Sequence, residues 1–288
     1  MVGFSLIIPV YNEEREVLAN AVSQLLQIPW PENGEIIVVD DGSDEKVEDL
    51  GISGMDRVKT IRHKRNRGYG AALKTGLSKA RNECIVITDA DGTYPDERIP
   101  ELVAIFEKGN FDMVVGARVG KNVKIPLIRR PAKWFISKLA NYLTGIKIPD
   151  INSGLRVMKK EVVEKYLNIL PDGFSFTSTI TLAMLTNGYR VEYVPIEYFG
   201  RKGKSKIRPI HDTLNFIQLI IRTVLYFDPL KIFVPLSLVL ALFGFLVLIG
   251  SWVLTGKVMD VTFGVILMTS VLVMAIGMLA DLIDKRLK

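Results

Sequence analysis

At 288 residues, 49% of them hydrophobic and 24% charged, the chain is too apolar to be disordered, and it has room for one globular domain of roughly 200 residues plus a smaller part. Its 37 Lys and Arg against 31 Asp and Glu leave a net charge of +6, too modest to mark a nucleic-acid binder. The single Cys84 excludes an internal disulfide and suits a reducing compartment. In chain order, Ser5 to Val10 reads as a strand and Glu14 to Leu26 as a helix. Glu35 to Asp40 is a second strand, Arg57 to Ile61 a third, and Ala71 to Ala80 a helix. Glu83 to Thr88 is a further strand, Ile99 to Phe106 a helix, and Phe111 to Gly116 closes the series. Near-continuous apolar strands alternating with helices predict an α/β fold with a mostly parallel sheet covered on both faces. Ligands of such sheets bind beyond the carboxyl ends of the strands.

The second half differs. From Pro126 to Gly145, basic residues alternate with Trp134, Phe135, Ile136, Leu139 and Tyr142, the composition of an amphipathic helix at a membrane interface or of a surface helix packed on the sheet. A similar stretch, Ile210 to Phe227, leads into two uncharged runs, Ile232 to Thr255 and Val261 to Ala280. Each is long enough to cross a hydrocarbon core of about 30 Å, and the short link between them predicts a helical hairpin. The expected organisation is therefore a globular α/β domain over 1–208 with an interfacial helix at 126–145, a linker at 209–229, and a hairpin at 230–288 with spans at 232–255 and 261–280. Arg222 and Lys231 precede the first span and Lys285, Arg286 and Lys288 follow the second, against Lys257 alone between them. That asymmetry predicts both ends, and the N-terminal domain, on the cytoplasmic side of the cell membrane. No apolar stretch with a basic flank opens the chain, so no signal peptide is expected. The hairpin could also pack against copies of itself.

Asp89-Ala90-Asp91 follows a buried strand, and two carboxylates at a strand end can place oxygens on Mg²⁺ or Mn²⁺ shared with substrate phosphates. The run Asp89 to Thr93 also matches the nucleophile motif of haloacid-dehalogenase-type phosphatases, but two earlier strands end in polar clusters and no downstream acidic pair completes that site. Asp40-Asp41-Gly42-Ser43 closes another strand; Gly42 permits a tight turn, and Asp41 could accept hydrogen bonds from a base or ribose. Arg67 to Ala72 lacks the third glycine of a dinucleotide fingerprint and follows no buried strand. His63 reads as a surface residue in a basic turn.

In order and spacing, Ile7 to Glu14, Val38 to Ser43, Asn66 to Ala72 and Asp89-Ala90-Asp91 resemble family 2 glycosyltransferases. Gly116-Ala117-Arg118, Asn152 to Arg156 and Gly203 to Lys206 look like the polyprenyl-phosphate branch, which includes dolichyl-phosphate mannose and glucose synthases. The resemblance covers about the first 210 residues. It implies a GT-A domain that moves a hexosyl unit from a GDP-mannose or UDP-glucose type donor to a polyprenyl or dolichyl phosphate, with inversion. It places Pro9, Tyr11, Glu13, Asp41, Gly70 and Ala90 around the nucleotide-sugar, and Asp89 and Asp91 on the metal and diphosphate. Thr93 stands where dolichyl-phosphate mannose synthases often carry Gln.

An acceptor phosphate is already anionic, so the site needs positive charge more than a base. Arg118, Arg130 and Arg201 are the expected clamp, supported by Arg129 and Lys204. Asp150 and Ser153 belong to a loop at the acceptor end, where Asp150 acts as a base or orders the loop. Two alternatives stand beside this reading. One is a hydroxyl-acceptor glycan or glycolipid transferase, although the Gln-x-x-Arg-Trp motif of processive members is not visible. The other is a non-catalytic membrane scaffold that keeps the fold.

Overall fold

The computed structural model describes residues 2–47, 54–118, 138, 141–142, 145–173, 175–198, 225, 228–257 and 259–287. The chain falls into two compact units, Met1–Ile217 and Gln218–Lys288, each described here by itself. In the first, the apolar runs become β1 (Phe4–Val10), β2 (Glu35–Asp40), β3 (Val58–Arg62), β4 (Cys84–Ile87) and β5 (Met113–Ala117). Two further strands, β6 (Arg156–Lys159) and β7 (Val191–Pro195), complete a sheet of order β3-β2-β1-β4-β6-β5-β7. Strands β1 to β4 pair in parallel, as do β5 and β7, while β6 is antiparallel to both β4 and β5.

Side-chain alternation sorts the sheet's two faces. Phe4, Leu6 and Ile8 pack with Leu18, Val22 and Leu25 of α1 (Arg15–Gln27) and with Leu102, Val103 and Phe106 of α3 (Ile99–Gly109). On the other face Ile7, Ile37 and Val39 meet α2 (Tyr69–Lys79), α4 (Lys160–Lys165) and α5 (Phe176–Thr186) through Leu73, Val163 and Ile180. Because both faces are covered, all six residues of β2 are buried, which is why it reads as an unbroken apolar run with acids only at its ends.

Strands β6 and β7 extend the series beyond the expected last strand. Four-residue β6 carries Arg and Lys at its ends, and edge strand β7 is only half-buried and ends in Pro195, so neither shows the apolar run of a central strand. The antiparallel β6 matters most for the site. Its amino end lies at the carboxyl end of β4, with Arg156 opposite Ile87, and this brings residues 150–155 to the edge where ligands bind.

The second unit is a pair of long helices, α6 (Leu230–Thr255) and α7 (Asp260–Leu287), joined through Gly256 in the left-handed conformation (φ 66°). Leu230–Leu254 and Asp260–Ile283 have mean hydropathies of 2.9 and 2.4 over their most apolar stretches and are long enough to cross a bilayer. Their outer faces expose Leu238, Phe243, Leu246, Val265, Met268 and Leu272. Between them the Ser270 hydroxyl donates to the Ser237 carbonyl at 2.7 Å, and Phe233 packs against Gly277, where a β-carbon would not fit.

Candidate active site

The carboxyl ends of β1 and β2 are stitched together before any ligand arrives. Asp41 N–H donates to the Val10 carbonyl at 2.8 Å, and Asn12, at φ 50°, donates its N–H to Ser43 Oγ at 3.0 Å. Pro9 costs no ladder bond towards β4, since that pairing ends at Ile7 opposite Ile87. Beyond this point β1 and β4 part, with Pro9 and Glu13 partly exposed and Tyr11 exposed.

Asp41 is 2% exposed and is spent within the protein. Its carboxylate accepts from His63 Nδ1 at 2.6 Å and from the N–H groups of Arg67 at 2.9 Å and Gly68 at 2.7 Å. It therefore holds the Arg67–Gly68 turn just ahead of α2, close to a helix start where a negative charge is favourable. His63 corrects the sequence reading of a surface residue. It is 6% exposed, bridging Asp41 and the Thr75 hydroxyl (2.8 Å), because the edge strand β3 runs on to Arg62 and tucks the imidazole beneath the loop. Around it Arg62, Lys64, Arg65 and Arg67 line a basic depression of about 330 Å³. Gly70 has a packing reason of its own: a β-carbon there would stand 2.1 Å from the Pro171 carbonyl oxygen, where α2 meets the 171–173 backbone.

Asp89 and Asp91 follow β4 directly and are partly exposed, with Ala90 buried between them. The Tyr69 hydroxyl donates to Asp89 Oδ1 at 3.0 Å, and burial together with the Asp89 charge holds the Tyr69 phenol well above its ordinary pKa. Thr93 is 1% exposed and grips Asp91 Oδ1 through its hydroxyl at 2.6 Å and its N–H at 3.2 Å. Thr93 thus steadies its neighbour. Behind them Asp96, 6% exposed, accepts from the Thr88 hydroxyl at 3.0 Å. Burial pushes its pKa up to about 7 against that hydrogen bond, with the charges of Glu97, Asp89 and Asp91 adding to the rise.

The loop before β6 supplies the opposite wall. Gly154 lies against the Asp89 carboxylate and donates its N–H to the Tyr94 hydroxyl at 2.6 Å. Ser153, fully buried, donates its hydroxyl to the Gly116 carbonyl at 2.5 Å. Asp150 closes a two-pronged pair on Arg118, which follows β5: Nε to Oδ2 at 2.7 Å, Nη2 to Oδ1 at 2.9 Å, with the Arg118 N–H on Oδ2 at 3.1 Å. Burial alone would raise the Asp150 carboxyl, but the bonds from Arg118 outweigh it and hold its pKa below the usual range. The guanidinium also lies over the Tyr198 ring at 5.2 Å, and Tyr198 meets Tyr94 edge-on at 5.5 Å. Arg118, expected to bind the acceptor phosphate, has Nε and Nη2 on Asp150, which leaves Nη1 as the nitrogen unbonded among the described residues. Arg129, Arg130, Arg201, Lys204 and most of the 126–145 and 210–227 stretches lie outside the described residues.

Sequence reasoning passed over Tyr69, Tyr94 and Arg156. Tyr69 and Tyr94 flank the glycines and acids of the quoted motifs, which was the available signal. Arg156 gave none beyond membership of the Asn152 to Arg156 motif.

Known proteins resemble the chain. The sequence model described as glycosyl transferase family 2 matches residues 5–167. A dolichyl-phosphate hexose transferase of Haloferax volcanii is 28% identical over 206 residues, covering 71% of this chain and 86% of the relative. A dolichol-phosphate mannosyltransferase of Pyrococcus furiosus is 34% identical over 220 residues, again 71% of this chain but only 59% of the relative's length. Among solved structures, glucosyl-3-phosphoglycerate synthase from Mycobacterium tuberculosis, in complex with Mn²⁺, UDP and glucosyl-3-phosphoglycerate, superposes with a TM-score of 0.56 at 20% identity, covering 78% of this chain and 79% of that one. Staphylococcus aureus TarS 1–349 with UDP-GlcNAc gives 0.55 at 18%, covering 78% and 67%. At such identities these structures establish the GT-A fold and nothing finer.

Proposed function

The chain belongs to glycosyl transferase family 2, and from that premise we propose that it moves a hexosyl unit from a nucleoside-diphosphate sugar to a polyprenyl phosphate at a membrane surface. The observation that carries this reading is a chain of contacts in which Tyr94, through Gly154 and Tyr198, links Asp89 to the Arg118–Asp150 pair. The donor is of the GDP-mannose or UDP-glucose type, and Pro9, Tyr11 and Glu13, partly or fully exposed at the end of β1, line its nucleotide in this reading.

Asp89 and Asp91 suit a hard divalent cation, Mg²⁺ or Mn²⁺, with substrate phosphates completing its shell. Among the described residues no cluster of three or more His, Cys, Asp or Glu would hold one unaided. When bound, such a cation stabilises the charge that develops on the departing diphosphate. Tyr69 and Thr93 fix the directions of the two carboxylates, so little reorganisation accompanies the reaction.

Asp150 supports the phosphate acceptor. A general base needs a free carboxylate with a raised pKa, whereas Asp150 is pinned by Arg118 and its pKa is depressed. A hydroxyl acceptor calls for a base; a phosphate brings its own anionic oxygen, which attacks the anomeric carbon as the sugar–phosphate bond breaks. Arg118 Nη1 offers one donor to that phosphate, and Arg129, Arg130, Arg201 and Lys204 supply further positive charge. In this reading α6 and α7 anchor the chain in the membrane, and the Lys and Arg flanking them favour a cytoplasmic catalytic unit.

Purified protein would be incubated with Mg²⁺ or Mn²⁺, a short polyprenyl phosphate and a panel of radiolabelled nucleotide-sugars. Label entering the organic phase, abolished by chelator and by Asp91→Ala, supports the reading. Nucleotide binding without transfer from any donor removes the phosphate acceptor and favours a hydroxyl one.

A further inference from the structure

Arg156 is the largest of the fully buried side chains described, at 0% exposed. It stands opposite Ile87 of β4 and Val115 of β5, and Val115 stands opposite Tyr193 of β7. A cation thus sits in a largely apolar row, on the face covered by α2 and α5. No carboxylate among the described residues forms an ion pair with it. Burial pulls its pKa below the ordinary value, against nearby Tyr193, Tyr69, Asp150 and Tyr94, and the Tyr193 hydroxyl is itself buried without a hydrogen-bond partner among the described residues.

Backbone oxygens hold the guanidinium in place of a counter-ion. Nε and Nη2 donate to the Ser153 carbonyl at 2.9 and 2.7 Å, and Nη2 also reaches the Ile151 carbonyl at 3.4 Å. Nη1 donates to the Thr177 carbonyl at 3.0 Å and to Thr181 Oγ1 at 2.7 Å, both on α5. The fork therefore ties the loop before β6 to the first turns of α5. Stability alone does not account for it, because an apolar side chain of similar volume in place of a buried ion is often neutral or better.

The Ser153–Gly154 peptide shows what the fork achieves. Its oxygen is on Arg156 and its N–H is on the Tyr94 hydroxyl, so the peptide plane is held at both ends. That plane sets Gly154 against Asp89, while the same loop carries Asp150 to Arg118.

We propose that Arg156 is a positioning residue of the transfer site, which fixes the 150–154 loop and through it the placement of Asp89 and the Arg118–Asp150 pair. The proposal rests on the glycosyl-transfer reading above. Arg156 touches no substrate. It acts through the Ser153–Gly154 peptide, in concert with Tyr94.

The test uses the full chain in detergent, with Arg156→Met, Arg156→Lys, Tyr94→Phe and the Tyr94→Phe/Arg156→Lys pair. Folding is followed by circular dichroism, Mn²⁺ affinity in the presence of UDP or GDP by electron paramagnetic resonance, and kcat and acceptor KM by transfer. Folded Arg156→Met is expected to bind Mn²⁺–nucleotide about tenfold more weakly, and Arg156→Lys to recover part of the loss. The two lesions in the double variant are expected to be less than additive, since both release one peptide; a residue that only supports the fold would give additive losses. Folded Arg156→Met with wild-type Mn²⁺ affinity and acceptor KM overturns the proposal, as does strict additivity. Should Arg156→Met fail to fold, unchanged Mn²⁺ affinity in Tyr94→Phe overturns it instead. Wild-type protein that binds Mn²⁺–nucleotide without transfer to polyprenyl phosphate defeats the acceptor reading and leaves this one to be judged on affinity. Wild-type protein that binds neither overturns both.

Discussion

A β-carbon on Gly154 would stand 2.6 Å from Oδ2 and 2.9 Å from Cγ of Asp89. Gly154 is held by Tyr94, so the strain falls on the Asp89 side chain, against its bond from Tyr69. Gly154→Ala therefore has to turn the Asp89 carboxylate away, an overpacking of about 1–3 kcal/mol. The expected result is a folded protein whose Mn²⁺ affinity and turnover both fall roughly tenfold or more. A Mn²⁺ titration with GDP or UDP, beside a melting curve, checks it; undiminished affinity would show that Asp89 does not hold the metal.

Two hydroxyls orient the acids, Tyr69 on Asp89 and Thr93 on Asp91. A hydrogen bond to a charged group contributes about 1.5–3 kcal/mol, so Tyr69→Phe and Thr93→Val are each expected to lose about ten- to a hundredfold in turnover at limiting metal. Excess Mn²⁺ should restore much of the loss, since the acids remain and only their aim is loosened. A loss that no amount of Mn²⁺ repairs would assign the hydroxyls to substrate instead.

Much of the sheet was legible because buried parallel strands announce themselves: the apolar runs of β1, β2 and β4 each end in polar residues at the ligand-binding edge. The strands that escaped notice were those whose burial does not come from apolar composition. β6 begins with Arg156, buried through hydrogen bonds to carbonyls, and β7 is a half-buried edge. The same cause hid His63, which a run of five polar residues marks as a turn until Asp41 and Thr75 are seen to enclose it. Arg118 was identified by its place after β5, but its partner was not, because no local pattern links it to Asp150.

That pairing yields its own prediction. The side chains of Arg118 and Asp150 are 23% and 11% exposed, so removing one partner strands a charge that water reaches poorly. Arg118→Gln should destabilise the protein by about 2–3 kcal/mol, and Arg118→Gln/Asp150→Asn should regain part of that loss. Because the folded Asp150 pKa is depressed, the pair's contribution is present above the unfolded carboxyl value and lost as pH falls through the lower, folded one. The difference in stability between wild type and the double variant should therefore be constant near neutral pH and shrink in acid. Chemical denaturation at several pH values measures it, and a difference that grew in acid would contradict the pair's charge.

Asp96 works in the opposite sense. Its folded pKa, about 7, lies above the unfolded value of 3.8, so between roughly pH 4 and 7 the native state keeps a proton that the unfolded chain has released. Stability contributed by this group must then fall as pH rises through that window and level off above it, where the buried carboxylate is ionised in both states. The loss is on the order of a few kcal/mol, since each unit of pKa difference is about 1.4 kcal/mol. Asp96→Asn, which keeps the Thr88 contact and cannot ionise, is expected to remove this slope and to be more stable than wild type at pH 8 while approaching it only near pH 4 and below. The measurement belongs in chelator, so that no cation at Asp89 and Asp91 alters the field on Asp96. Parallel stability profiles for wild type and variant would mean that Asp96 is ionised in the fold across the whole range, with Thr88 and its surroundings solvating it better than its burial suggests.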